Sequence, residues 1–190
     1  MSFLNEVWES AFWWLAALHL ADGIFGLLAL RSARFKAAFF RMPILVQKLW
    51  PVVDVGLVLV LPLVPQPRWT FIPAAAGVTV GLAAVAGAVA LWLHAFRAIG
   101  FIPSLRPVKG LIATGPYAVV RHPIYLANLL SALGLALVFR AGGAVCYWPV
   151  VAALLSTGIL VEEKGLRMEY GEEYAAYMKQ VPYRLIPYVY

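Results

Sequence analysis

The sequence has little charge: Asp, Glu, Lys and Arg make up 13% of its 190 residues, whereas 63% are hydrophobic. About a quarter of the residues of a soluble domain are charged, so this chain cannot cover a water-exposed surface. A single cysteine, Cys146, excludes a disulfide within the chain. The three histidines lie in three separate segments without the spacing of metal ligands, and we predict no metal site. This composition is typical of an integral membrane protein.

The excess of basic residues does not form a surface for nucleic acid. The net charge of +6 is spread over short segments between apolar runs, as in loops that face a cytoplasm and anionic lipid. We predict that the bilayer is the partner and that nucleic acid is not. Only Arg68 and Arg140 lie on one side, and three groups of four basic residues lie on the other: Arg31, Arg34, Lys36 and Arg41; Arg97, Arg106, Lys109 and Arg121; Lys164, Arg167, Lys179 and Arg184.

Long apolar runs predict an all-α integral membrane protein with five transmembrane helices. The distribution of basic residues puts the N-terminus outside and the C-terminus in the cytoplasm. Because acids and no basic cluster precede the first run, we interpret it as a retained span and not as a cleaved signal. We predict a single membrane domain, residues 1–190, with three spans in 1–96. The five runs are 12–30, 43–64, 70–96, 124–139 and 144–161.

Small and aromatic residues indicate how these helices pack. Gly77-x-x-x-Gly81 allows a neighbouring helix to approach the third run closely. The last two runs, separated by Arg140–Gly143, predict a C-terminal helical hairpin. In the tail, residues at helical spacing predict an amphipathic helix from about Glu163 to Lys179, with its aromatic stripe inward. Pro182 ends this helix. The stripe consists of Leu166, Tyr170, Tyr174, Tyr177 and Val181.

Polar, aromatic and turn-forming residues are concentrated at 114–128, at the start of an apolar run. Pro123 suits the first position of a helix, which puts His122 at or beside the N-cap and Tyr125 and Asn128 on one face. The positive end of the helix dipole, with Arg121 and an imidazole beside it, favours an anionic ligand at this cytoplasmic end. The alternative is an ordinary helix start at the membrane interface.

The acidic residues allow both structural and functional interpretations. Glu162 and Glu163 mark the exit of the last span and can receive a cation, or they can be solvated, with Glu163 paired to Arg167. Asp22 and Asp54 lie mid-span, where a carboxylate is costly and faces a cavity or a partner. Asp22 can pair with His19, one turn earlier, and either aspartate can be a structural hydrogen bonder.

Several motifs, in order, resemble the isoprenylcysteine carboxyl methyltransferase family, and the related phospholipid methyltransferases share the first two. The resemblance covers about 110–187 and does not extend to the first three spans. The motifs are G-P-Y-A-V-V-R-H-P-I-Y at 115–125, E-E at 162–163, Y-G-E-E-Y-A-A-Y at 170–177 and V-P-Y-R-L-I-P at 181–187.

This resemblance implies a membrane enzyme that uses S-adenosylmethionine and methylates a lipophilic small molecule at the cytoplasmic face. The loop, hairpin and C-terminal helix of 97–190 would form the cofactor pocket, and Glu163 and Arg184 would serve catalysis. Methyl transfer needs alignment of the nucleophile and exclusion of water but no metal. The residues expected to hold the cofactor are Tyr117, Arg121, His122, Pro123, Tyr125, Asn128, Glu162 and Glu163.

Two departures from the resemblance concern the acceptor. Ala127 replaces a glycine common after the R-H-P-x-Y motif, which should only tighten the packing. The expected reaction is O-methylation of a carboxylate or a phenol, or N-methylation of a lipid amine. Residues 155–158 replace an arginine found in the enzymes that methylate prenylated cysteine, which favours a phenol or a lipid amine over prenylated cysteine unless Arg184 takes the place of that arginine. Two alternatives stay open: a sterol-type reductase that takes NADPH, and a transporter or scaffold without catalysis, favoured by Asp22 and Asp54.

Overall fold

The computed structural model describes residues 3–32, 34, 41–99 and 110–189. Within these ranges the secondary structure is helical, as the sequence predicts, with one isolated β-bridge between Arg68 and Ala141. Short 3-10 helices occupy Leu61–Leu63 and Gly115–Ala118. The α-helices, numbered in chain order, are α1 (Phe3–Arg31), α2 (Ile44–Val60), α3 (Ala74–Ile99), α4 (Pro123–Val138) and α5 (Gly142–Gln180).

Three of the described helices are long and apolar enough to cross a membrane. They are α1, with its apolar part at Ala11–Leu28, then α3, and α5. The apolar helices at Val52–Leu63 and Pro123–Val138 are shorter; the 16 residues of α4 span about 24 Å, less than the roughly 30 Å of a hydrocarbon core. The three long helices indicate an integral membrane protein, and the count of five spans stays a prediction.

Helices α3 and α4 pack against each other through glycine, as the small-residue motif predicts. A Cβ atom added at Gly81 would lie 2.6 Å from the carbonyl oxygen of Gly134, and one at Gly134 would lie 2.8 Å from that of Gly81. No side chain fits between backbones that are this close. Trp92 of α3 also donates a 2.9 Å hydrogen bond from Nε1 to Oδ1 of Asn128 in α4. This packing fixes α4, whose first turn forms part of the candidate site.

At the end of the bundle opposite to the first turn of α4, the turn between α4 and α5 is hydrogen-bonded to the segment before α3. Trp69 and Gly142 donate backbone hydrogen bonds to Arg140 and Pro67, at 3.1 and 2.8 Å. The Arg140 guanidinium lies 5.7 Å from the centre of the Trp69 ring, within range of a cation–π contact. Helices α4 and α5 are therefore joined by a short turn, and Arg68 and Arg140 lie at the same end of the bundle.

The end of the last span differs from the prediction. Helix α5 does not end near 161 but continues through the acidic pair to Gly171, where φ of +50° and ψ of −119° interrupt the helix, and a second helical stretch follows to Gln180. Glycine tolerates this positive φ because it has no Cβ. The aromatic stripe does point inward, since Tyr174 and Tyr177 are buried. Beyond α5, residues 181–185 return across the start of α4.

Reporter fusions are expected to confirm the orientation predicted from the basic residues. A reporter fused after Arg41, Lys109 or Tyr190 should report cytoplasm, and one fused after Arg68 should report the opposite side. A cytoplasmic signal after Arg68 would exclude five spans. Some residues on which this prediction depends lie outside the part of the chain that the structure describes: Lys36, Arg106, Lys109 and Tyr190.

Candidate active site

A cavity of about 370 Å³ lies where the 110–122 segment, the start of α4 and the second half of α5 meet. Its volume falls in the range of sites that hold a small molecule or cofactor. The wall is mostly apolar and aromatic, with a few polar groups. The lining residues are Ile99, Gly110, Leu111, Ile112, Tyr117, Arg121, His122, Ile124, Tyr125, Glu162, Leu166, Tyr170, Tyr174 and Tyr177.

His122 is the N-cap residue of α4, and Pro123 is the first helical residue, as predicted. The imidazole is 3% exposed. Its Nδ1 lies 3.8 Å from Glu162 and its Nε2 lies 3.5 Å from Glu163, and Nε2 has no hydrogen-bond partner. Burial, opposed in part by Glu163, lowers the pKa of His122 to about 4, so the ring is neutral at physiological pH.

A buried ion network fixes the backbone around His122. Arg121 is 7% exposed and Glu163 is 1% exposed. Arg121 donates to Oε1 of Glu163 from Nε at 2.9 Å and from Nη2 at 2.7 Å. Arg184 donates to both carboxylate oxygens, at 3.1 and 3.0 Å. Arg184 thus matches the carboxylate through two parallel N–H groups, whereas both Arg121 hydrogen bonds go to one oxygen.

The C-terminal segment completes the network through its backbone. Arg121 Nη1 donates 2.7 Å hydrogen bonds to the carbonyl oxygens of Val181 and Pro182. The amide nitrogens of Arg121 and His122 donate to the carbonyls of Tyr183 and Arg184, each at 2.9 Å. Residues far apart in sequence are thereby held together at the start of α4.

The two adjacent glutamates have different surroundings. Glu163 faces the arginines and is absent from the cavity wall, whereas Glu162 lines the cavity with its side chain 46% exposed. Tyr125 lies within hydrogen-bonding reach of Glu162 and packs edge-on against His122, with ring centres 5.6 Å apart. Gly158 lies beside the Tyr125 ring, where a Cβ would be in ordinary van der Waals contact at 3.5 Å.

Aromatic side chains form the opposite wall. Tyr177 donates a 2.7 Å hydrogen bond to the carbonyl of Tyr117, which joins α5 to the 3-10 helix at 115–118. The Tyr174 ring is 1% exposed and its hydroxyl has no hydrogen-bond partner. Burial raises the pKa of Tyr117, so this phenol stays protonated and can donate. Tyr174 and Tyr177 were predicted only as an inward stripe, and their place in the cavity depends on the bend at Gly171.

The structure brings most of the predicted site residues together. Tyr117, Arg121, His122, Tyr125 and Glu162 line the cavity, while Glu163 and Arg184 lie behind it in the ion network. Asn128 was expected on the same face but lies outside the cavity wall, because its amide oxygen accepts the hydrogen bond from Trp92 of α3. Pro123 starts α4 and does not line the cavity.

Comparison with known proteins gives the family. The model of the phospholipid methyltransferase family matches residues 76–173, just over half of the chain. This chain belongs to the phospholipid methyltransferase family. The matched stretch contains α4 and most of α3 and α5, including His122 and both glutamates. Arg184 and the N-terminal helices lie outside the match.

Individual relatives have other assigned activities in their names and match over short stretches. The chain is 38% identical over 84 residues to the Delta(14)-sterol reductase TM7SF2 of Mus musculus, covering 43% of this chain and 20% of that protein. It is 31% identical over 122 residues to the Delta(14)-sterol reductase ERG24 of Candida albicans, covering 56% and 27%. The cobalt-zinc-cadmium resistance protein CzcN of Cupriavidus metallidurans is 29% identical over 72 residues, covering 38% and 33%. No solved structure matches the chain significantly.

Proposed function

We propose that this protein is a membrane methyltransferase that binds S-adenosylmethionine in the cavity beside His122 and methylates a lipophilic acceptor. The proposal is supported most by the Tyr174 hydroxyl, a buried polar atom of a residue in the cavity wall that has no partner within the described protein. A buried polar group without a hydrogen bond is costly, so this hydroxyl fits a ligand that supplies the missing partner.

The polar groups of the cavity match those of the cofactor. A neutral imidazole N–H at the N-terminus of α4 suits the carboxylate of the cofactor. The rings of Tyr117 and Tyr177 suit stacking on the adenine. S-adenosylmethionine supplies an electrophilic methyl group on a sulfonium sulfur, and the apolar side chains Ile112, Ile124 and Leu166 keep water away from it.

An acceptor that starts with an O–H or N–H group must lose a proton. Sequence alone suggested Glu163 for this role, with Arg184 as a guide. We assign it to Glu162 instead, because Glu162 lines the cavity whereas both oxygens of Glu163 accept hydrogen bonds from arginine. In this proposal Arg121, Glu163 and Arg184 position His122 and close the back of the site.

Direct methylation assays test this function. With labelled S-adenosylmethionine, we expect label on a long-chain phenol or a lipid amine and none on a farnesylcysteine analogue, because no arginine is present at 155–158. Glu162→Gln should lower the rate by about 10²-fold or more if this carboxylate accepts the proton. Efficient formation of a base-labile methyl ester on farnesylcysteine would contradict the acceptor class, and failure to label any acceptor would contradict the function.

A membrane reductase with a nicotinamide cofactor is the second candidate. The likeness to two Delta(14)-sterol reductases favours it. The two candidates differ in the cofactor that they bind, and titration with each cofactor separates them.

A further inference from the structure

A second cavity, of about 590 Å³, lies at the end of the bundle opposite to the candidate active site. Its wall is formed by residues 62–68, which follow α2, together with Trp13 of α1 and Phe139 at the end of α4. No residue of this wall lines the cavity beside His122. This opening, the Arg68 cavity, is therefore separate from the candidate active site.

The Arg68 cavity lies where the apolar parts of three helices begin or end. The apolar part of α1 begins at Ala11, the apolar stretch of α2 ends at Leu63, and α4 ends at Val138. The side chains of Trp13, Leu63 and Phe139 are 66%, 52% and 48% exposed. Aromatic side chains are enriched at the boundary between the hydrocarbon core of a membrane and the lipid head groups. We therefore expect the cavity to open toward the head groups of one leaflet.

Arg68 is the only charged residue in the wall of this cavity. Its side chain is exposed, and it forms no ion pair with any acid among the described residues. Arg140, at the same end of the bundle, is engaged within the protein, because its Nη2 donates a 3.1 Å hydrogen bond to the Trp69 carbonyl. In the predicted orientation this end faces away from the cytoplasm, where arginine is disfavoured. An unpaired guanidinium there fits an anionic partner.

The amide side chain of the wall has its partners within the protein. Gln66 donates from Nε2 to the carbonyl oxygens of Leu61 and Val64, at 2.6 and 3.2 Å. Its Oε1 accepts a 2.7 Å hydrogen bond from the backbone N–H of Ala144. Prolines at 62, 65 and 67 also restrict the backbone of this segment. The wall is thus preorganised, with one charged group and largely apolar surroundings, which fits a ligand with one anionic group and an apolar chain.

We propose that the Arg68 cavity binds an anionic phospholipid, with the head-group phosphate at the Arg68 guanidinium and an acyl chain along Trp13, Leu63 and Phe139. The planar guanidinium matches two oxygens of a phosphate. A zwitterionic head group has a cation beside its phosphate, which the arginine repels, so the site prefers a head group of net negative charge. The bound lipid is not the methyl acceptor, because it lies at the other end of the bundle from the candidate active site. The proposal does not depend on the proposed function.

Matched lipids test the site in the full-length protein in detergent. Phosphatidylglycerol should raise the Tm of the wild type more than phosphatidylcholine with the same acyl chains does. Arg41→Gln, which changes an exposed arginine before α2, should respond like the wild type. Arg68→Gln should need about tenfold more phosphatidylglycerol for the same shift, because it loses a charge-assisted hydrogen bond. Arg68→Lys keeps the charge and should regain part of the response.

A second variant tests the cavity without removing the arginine. The side chain of Leu63 is 52% exposed, so Leu63→Asp should leave the fold intact. The new carboxylate would share the cavity wall with Arg68, where it pairs with the guanidinium and repels a phosphate. We expect this variant to lose the preference for phosphatidylglycerol over phosphatidylcholine. Inorganic phosphate should not shift the Tm of the wild type, because it makes no use of the apolar wall.

Loss of the phosphatidylglycerol preference in both Arg68→Gln and Leu63→Asp, with an unchanged Tm in the absence of lipid, supports the site. Equal phosphatidylglycerol shifts in the wild type and Arg68→Gln would overturn it. Equal stabilisation of the wild type by phosphatidylcholine, or by inorganic phosphate, would also overturn it. A lower Tm of both variants without lipid, with the lipid shift retained, would mean that Arg68 stabilises the protein itself and would contradict the proposal.

Discussion

Replacing Glu163 with alanine is expected to lower the free energy of unfolding by about 3–5 kcal/mol. Removal of this carboxylate leaves the buried guanidinium of Arg121 without its counter-charge, and an unpaired buried charge is strongly destabilising. It also removes the hydrogen bonds from Arg184 to this carboxylate, which join the C-terminal segment to α5. For a chain of this length, the change corresponds to a fall in Tm on the order of 10 °C.

Thermal unfolding of the purified protein in detergent measures this effect. Glu172→Ala is the matched control, because Glu172 is an exposed carboxylate on the same helix, and it should change the free energy of unfolding by less than about 0.5 kcal/mol. Equal Tm values for Glu163→Ala and Glu172→Ala would mean that the Arg121–Glu163–Arg184 network does not stabilise the fold.

Replacing His122 with alanine is expected to weaken binding of S-adenosylmethionine by about ten- to a hundredfold without unfolding the protein. A hydrogen bond to a charged group contributes about 1.5–3 kcal/mol, which corresponds to that change in affinity. Because the pKa of His122 is about 4, the imidazole keeps one neutral N–H donor from pH 6 to 8. Its contribution to cofactor affinity should therefore not vary over this range.

Calorimetric titration at pH 6, 7 and 8 checks both parts of this expectation. His94→Ala is the control, since His94 is exposed and its ring contacts only the Ala90 carbonyl of its own helix among the described hydrogen bonds. An affinity of His122→Ala equal to that of the wild type would contradict the assigned role. A tenfold loss of wild-type affinity between pH 6 and pH 8, absent from His122→Ala, would show that the imidazole binds in its charged form.

Local sequence rules predicted the parts of the site that depend on neighbouring residues. Pro123 fixes the first turn of α4, which puts His122 at the N-cap whatever packs against it. Helix packing was also predictable from local sequence. The motif that contains Gly81 predicts a close approach of another helix before its partner, Gly134, is known. These features needed no knowledge of distant residues.

Features that depend on tertiary contacts could not be predicted in this way. Helical spacing puts Asn128 on the face of Tyr125, but the indole of Trp92, 36 residues earlier, binds its amide oxygen. Spacing predicts the pair of Glu163 with Arg167, which is present at 3.4 Å. It does not show that Arg121 and Arg184, from two other segments, also bind Glu163 and leave Glu162 to the cavity. Sequence alone paired His19 with Asp22, whereas its Nε2 lies 3.5 Å from Oδ1 of Asp54 in α2. This contact joins two helices, and a single-helix pattern contains no information about it.

Titration of the purified full-length protein with S-adenosylmethionine and, in parallel, with NADPH tests the central claim most directly. We predict saturable one-to-one binding of S-adenosylmethionine, weakened by His122→Ala and unaffected by His94→Ala, and no saturable binding of NADPH. Saturable binding of NADPH without binding of S-adenosylmethionine would contradict the methyltransferase assignment and favour the reductase.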